Sequence, residues 1–192
     1  LCLSRYRCRR DRRYVGSLSK VLSPGLRLGF VVAPPAVYPK LLQAKQAADL
    51  HSPNLNQRLA AEGLSVPGFL EEHLPRVRQL YKSQCQVMLA ALQKHMPESV
   101  TWNTPHGGMF IWLRLPEGID SAAMLPRAVA KGVAYVPGAI FYDASPDVRN
   151  IRMSFVTASA EQIDKGVRLL AETIKEELAQ GKAQVAADGA QG

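Results

Sequence analysis

Apolar residues return at steps of three and four through Leu70, Leu74, Val77, Tyr81, Cys85, Met88, Leu92 and Met96. That period predicts one long amphipathic helix over 69–96, closed by Pro97. Pro75 falls early in the pattern and predicts either a kink or the start of the helix. Upstream the pattern is different. Leu28-Gly29-Phe30-Val31-Val32-Ala33 is nearly continuous in apolar residues and stops at Pro34-Pro35, which predicts a short, fully buried strand. The spacing of Leu41, Ala44 and Ala48 predicts a helix over 37–50, and a second over 55–65 follows the break at Ser52-Pro53-Asn54.

Beyond residue 99 the period alternates between two and 3.6. Strands are predicted over 100–102, 109–115, 133–136 and 150–156, and helices over 121–131 and 160–179. Gly132 is the expected stop of the first of these helices. Residues 180–192 are rich in Ala, Gly and Gln without an apolar face, and disorder is the expectation there. Helices and strands alternate without an internal repeat, so the class is mixed α/β, with a domain boundary expected inside the long helix near residues 85–95.

Composition narrows the function classes. A length of 192 residues allows one domain or little more, and no apolar run is long enough to span a bilayer as a helix. The opening residues lack the apolar core of a signal peptide, so a cytoplasmic location is expected. The net charge of +8 is uneven. Arg5, Arg7, Arg9, Arg10, Arg12 and Arg13 with one aspartate give +5 within residues 1–13, leaving +3 for the rest. A basic arm without a recognised nucleic-acid module argues against nucleic-acid binding. Cys2, Cys8 and Cys85 are odd in number and lack a C-x-x-C pair, and the four histidines show no H-x-x-x-H pattern. Neither a metal site nor a disulfide framework is expected.

Candidate chemistry concentrates in Tyr14-Val15-Gly16-Ser17-Leu18-Ser19-Lys20-Val21-Leu22-Ser23-Pro24-Gly25-Leu26-Arg27-Leu28-Gly29-Phe30. A lysine amine is a nucleophile toward aldehydes, and the Ser17 and Ser19 hydroxyls with the Arg27 fork are suitable donors for a phosphate. Ser17-x-x-Lys20 followed by Pro24-Gly25-Leu26-Arg27-x-Gly29 resembles the lysine segment of fold type I, class I/II aminotransferases dependent on pyridoxal 5′-phosphate (PLP), in particular the 2-aminoadipate and multi-substrate group. The resemblance implies that Lys20 forms the Schiff base to PLP and that Ser17 and Arg27 hold its phosphate, with Ser19 a weaker candidate for the same anion.

Three further segments resemble the same family. They are Pro105-His106-Gly107-Gly108-Met109-Phe110, then Val133-Ala134-Tyr135-Val136-Pro137-Gly138-x-x-Phe141, and Asn150-Ile151-Arg152-Met153-Ser154-Phe155. The last is the most specific, because an arginine in an otherwise apolar strand is costly unless paired, and guanidinium fits a carboxylate in bidentate geometry. By resemblance Arg152 binds the amino acid's α-carboxylate, while Arg149 is expected to be an exposed neighbour.

The resemblance thus implies an α/β chain carrying the C-terminal part of the PLP-binding large domain over 14–90 and the small α/β domain over 91–179. Residues 1–13 are read as a divergent basic lead-in that does not look like the strand the resemblance implies there. The implied activity is transfer of an amino group between an amino acid and a 2-oxo acid, by a full-length protein expected to be a homodimer. The family's ring that stacks on PLP, and its Asn and Asp partners of the pyridine, have no counterpart in these residues, so a truncated chain is the expectation. Two other readings stay open: the aminotransferase-like effector domain of a winged-helix transcription regulator, and an inactive remnant.

Overall fold

The computed structural model describes residues 14–189, with side chains through residue 181. The basic lead-in of 1–13 lies outside the described residues. The chain divides into two compact units between Arg76 and Val77.

The first unit begins with an antiparallel hairpin of β1 (Tyr14–Ser17) and β2 (Gly29–Val32), in which Tyr14 faces Val32 and Ser17 faces Gly29. Gly16 leaves room for the Phe30 ring that crosses it, since a Cβ at that position would lie 2.3 Å from the ring. Two helices follow, α1 (Tyr38–Asp49) and α2 (Asn54–Ser65). The expectation of a fully buried strand over 28–33 is corrected. Leu28 is buried, but the residues of β2 alternate between exposed and half-buried. An apolar run of this kind needs cover on both faces, whereas the face of β2 that carries Val31 stays open.

The long helix α3 (Phe69–His95) starts at Phe69 and runs through Pro75. Proline cannot donate the hydrogen bond that the Glu71 carbonyl would accept, so the helix is weakest there. The units separate directly after that point, still within the helix but earlier than residues 85–95. The reason lies in the apolar stripe: Tyr81, Cys85, Met88 and Leu92 already pack into the core of the second unit.

The second unit is a four-stranded antiparallel sheet in the order β3–β4–β6–β5, formed by β3 (Thr101–Trp102), β4 (Phe110–Arg114), β5 (Val136–Pro137) and β6 (Asn150–Ser154). Strand alternation divides its residues cleanly. Ile111, Leu113, Ile151 and Met153 face the core against α3, α4 (Ser121–Ala130) and α5 (Ala160–Gly189). Phe110, Trp112 and Arg152 belong to the opposite face. Asp120 caps α4 by accepting from the Ala122 and Ala123 N–H groups at 2.7 and 3.2 Å. A reciprocal Ser159–Gln162 pair caps α5.

The expected disorder of 180–192 is corrected as far as the structure describes it. Helix α5 continues to Gly189, because Ala, Gln and Lys are strong helix formers and the preceding turns are already anchored. Arg127 of α4 donates to Gln180 Oε1 at 2.7 Å and pairs with Glu177. Among the described residues no helix is long and apolar enough to cross a membrane.

Candidate active site

The loop between β1 and β2 is built by backbone hydrogen bonds. Leu18 N–H donates to Leu28 O at 3.0 Å and continues the ladder one step beyond the strands. Leu18 O then accepts from Leu22 and Ser23 N–H at 2.9 and 3.2 Å, closing a turn with Lys20 at its apex. A 3-10 turn over Pro24–Leu26 follows, capped by Ser23 Oγ, and returns the chain through Arg27 at φ 52° and ψ 41°. A non-glycine residue with positive φ is uncommon and tends to mark a constrained functional position. From α2, Asn56 Nδ2 donates to Leu26 O at 3.0 Å and fixes this return.

Four predicted residues therefore share one loop. Lys20 and Arg27 are exposed, and neither has an acidic partner among the described residues. Ser17 Oγ accepts from Ser19 N–H at 3.2 Å, which leaves its own proton free to donate outward. An amine, two hydroxyls and a guanidinium without a competing carboxylate fit an aldehyde that carries a phosphate.

Arg152 belongs to the second unit. It sits in β6 between Trp112 of β4 and Val136 of β5, on the face away from the core. No carboxylate pairs with it among the described residues. Its Cζ lies 4.2 Å from the Phe110 ring centre and 4.5 Å from that of Phe141, and its Nε is enclosed without a hydrogen-bond partner. Phe141 is held in turn by Trp112, edge to face at 5.4 Å. The 3-10 turn Gly138–Phe141 can approach the sheet only because residue 138 lacks a side chain: a Cβ there would lie 2.9 Å from both Asn150 O and Trp112 Cζ3.

Arg149 departs from its expected exposure. Its side chain is only 23% accessible, because Nε donates to Asp147 Oδ1 at 3.0 Å and Glu117 lies 3.6 Å away. The Arg149 hydrogen bond holds the Asp147 carboxyl below its ordinary value. Of the two neighbouring arginines, one is thus consumed by local acids and the other is not. Burial also pushes the Cys85 thiol and the Tyr135 phenol up, and the Tyr135 hydroxyl donates to Ser121 O at 2.6 Å, a structural bond.

Residues 9–170 match the family model for aminotransferase class I and II. The chain belongs to that family. Among its relatives is the aromatic-amino-acid aminotransferase 1 of Thermococcus litoralis, 47% identical over 166 residues, which cover 86% of this chain and 39% of the relative. The crystal structure of the Thermus thermophilus α-aminoadipate aminotransferase LysN, complexed with N-(5′-phosphopyridoxyl)-L-leucine, superposes with a TM-score of 0.80 at 46% identity. The match covers 88% of this chain and 43% of that one. An uncharacterized HTH-type transcriptional regulator of Bacillus subtilis, YdfD, is 39% identical over 163 residues, 85% of this chain and 33% of the regulator. The chain spans about two fifths of the length of the aminotransferases it matches. Its fold is accordingly a fragment of the fold type I aminotransferase architecture.

Two features of this aminotransferase fragment escape sequence reasoning. Phe110 and Phe141 stand in segments singled out by their glycines, yet no spacing rule announces that both rings reach Arg152. The Asn56 bond to the loop joins residues 30 positions apart and leaves no local signature.

Proposed function

We propose that this chain carries the lysine-bearing and carboxylate-binding parts of a PLP-dependent aminotransferase acting on an amino acid and a 2-oxo acid. The observation that carries the reading is the donor set of the β1–β2 loop: Lys20, Ser17, Ser19 and Arg27 stand together in a stretch, residues 14–48, that contains no Asp or Glu. PLP, when bound, supplies an electron sink for charge that develops at the substrate α-carbon. Lys20 Nζ would hold the cofactor and, as a free amine, would carry the proton away from the substrate α-carbon to the cofactor's carbon. Arg27 and Ser17, with Ser19 in support, grip the phosphate. Arg152 receives the substrate α-carboxylate and orients the α-carbon. Residues 14–76 then form part of the cofactor domain and residues from 77 onward the small domain, in a full-length cytoplasmic homodimer.

The test needs no turnover. The purified chain is incubated with PLP, reduced with borohydride and mapped by peptide mass spectrometry. The expected result is a pyridoxyl label on Lys20 that is absent from Lys20→Ala. A label spread over several lysines, unchanged by the substitution, would remove Lys20 from its role.

The 39% identity to YdfD supports a second reading, the effector domain of a transcription regulator. The two share the labelling result. They part on whether the full-length gene encodes a winged helix upstream. A chain that takes up no PLP at all would instead favour the inactive remnant.

A further inference from the structure

We infer that Phe110 and Phe141 are positioning residues for Arg152, which hold its guanidinium so that a carboxylate is taken end-on through the two terminal nitrogens. The inference rests on the carboxylate-binding reading of Arg152 and goes beyond it to how the group is aimed.

A half-buried guanidinium is ordinarily fixed by an acid. Arg149, half-buried like Arg152, has Asp147. Arg152 has none among the described residues and instead places its central carbon over two rings, at 4.2 and 4.5 Å. The two rings come from different elements, Phe110 from β4 and Phe141 from the 3-10 turn after β5. Ring quadrupoles attract the cation without consuming its hydrogen bonds. The charge is therefore held in place while its donors stay available.

The enclosed Nε fixes which donors those are. Side-on binding of a carboxylate uses Nε with one terminal nitrogen, and protein atoms already fill the approach to Nε. The terminal pair is not enclosed in this way, and it presents the parallel N–H bonds that a planar two-oxygen acceptor matches. Both rings have fixed supports of their own. Phe110 opens β4, and Phe141 ends the turn that Gly138 seats against Trp112 and Asn150. Loss of either ring should free the guanidinium to swing, weakening capture of the ligand and leaving the fold intact.

The test uses the full chain supplied with PLP, with pyruvate as the probe, and compares Phe110→Leu, Phe141→Leu, Phe141→Tyr and Arg152→Lys. The Arg152 Nε–Hε NMR signal is identified by its loss in Arg152→Lys. In the parent chain it should be displaced by ring currents and show restricted motion. Each leucine variant should release that signal and weaken pyruvate binding about 2- to 30-fold, the range expected for one cation–π contact. Phe141→Tyr, which keeps the ring, should restore both. Phe141 is 46% exposed, so its replacement does not hollow the core, and thermal midpoints provide the check on folding. If Arg152→Lys loses pyruvate while both leucine variants bind it like the parent, the positioning role is overturned and the carboxylate reading stands. If parent and Arg152→Lys behave alike toward pyruvate, the carboxylate reading fails and takes the inference with it.

Discussion

At position 138 a single hydrogen in place of a methyl decides whether the Phe141 ring can reach Arg152. A Cβ there would meet Asn150 Cβ at 2.6 Å and Asn150 O at 2.9 Å. The first contact is with a side-chain carbon that is itself fixed in β6, and the second is with backbone, so neither can step aside cheaply. Gly138→Ala should therefore destabilise the chain by about 1–3 kcal/mol, the usual cost of forcing a methyl into a packed site. It should also move the Arg152 Nε–Hε signal, because the turn carrying Phe141 must lift. Urea denaturation read beside that spectrum checks both effects, and a variant of parental stability would show that the turn yields freely. Gly16 offers a contrast. Its obstacle is the Phe30 ring at 2.3 Å, an aromatic side chain on a half-exposed strand, which has more freedom to move.

The elements of the second unit were largely legible in the sequence, because each combines a clear period with clear punctuation. β4 and β6 stand where strands were expected and α4 ends shortly before Gly132, whose φ of 88° needs glycine, while the strand expected over 133–136 reduces to Val136–Pro137. Legibility failed where cover or contact comes from far along the chain. The apolar run at 28–33 reads as buried by composition, yet burial depends on layers that no local pattern specifies. The candidate residues were readable as types, since Lys, Ser and Arg at that spacing suit a phosphate-bearing aldehyde. The two rings that aim Arg152 were not, because they come together only when β4, β6 and the Gly138–Phe141 turn assemble. One contact between elements bears on pH. Asp164 of α5 lies 3.0 Å from His95 Nε2 and 3.2 Å from Lys94 Nζ of α3, and the His95 hydrogen bond, followed by that of Lys94, holds its carboxyl below the ordinary 3.8. A depressed folded-state value contributes stability that is present above 3.8 and lost as pH falls through the lowered value. Asp164→Asn should thus be less stable than the parent near neutrality, with the gap closing as pH drops below that window. A gap that stays constant from about pH 7 to 2 would assign the effect to something other than this charge.

At the scale of the whole molecule, the two units differ in how much apolar surface each has covered. The cluster of buried residues lies wholly at Met88 and beyond, with Ile111, Leu113, Ile151, Leu170 and Ile174 fully inaccessible. Among the described residues before 77 the buried apolar ones are Leu28, Ala60 and Leu70, while Val15, Leu55 and Leu59 remain 74%, 68% and 54% exposed. Burial of apolar surface is the main stabilising term, so resistance to local opening should follow the same division. Amide hydrogen exchange read by mass spectrometry on the isolated chain should find β4, β6 and the first turns of α5 protected. The amides of β1, β2, α1 and α2 should exchange faster by roughly a hundredfold or more. The lysine-bearing loop would then sit on the less stable unit, and cover over that unit's apolar residues would also steady Lys20, Ser17 and Arg27, the proposed cofactor residues. Bound PLP should for that reason slow exchange selectively in β1, β2 and the loop between them, by mass action on the folded state of that unit. Equal protection of both units in the free chain would mean that the hairpin is stable without cover, and the exposed apolar side chains would then need another explanation.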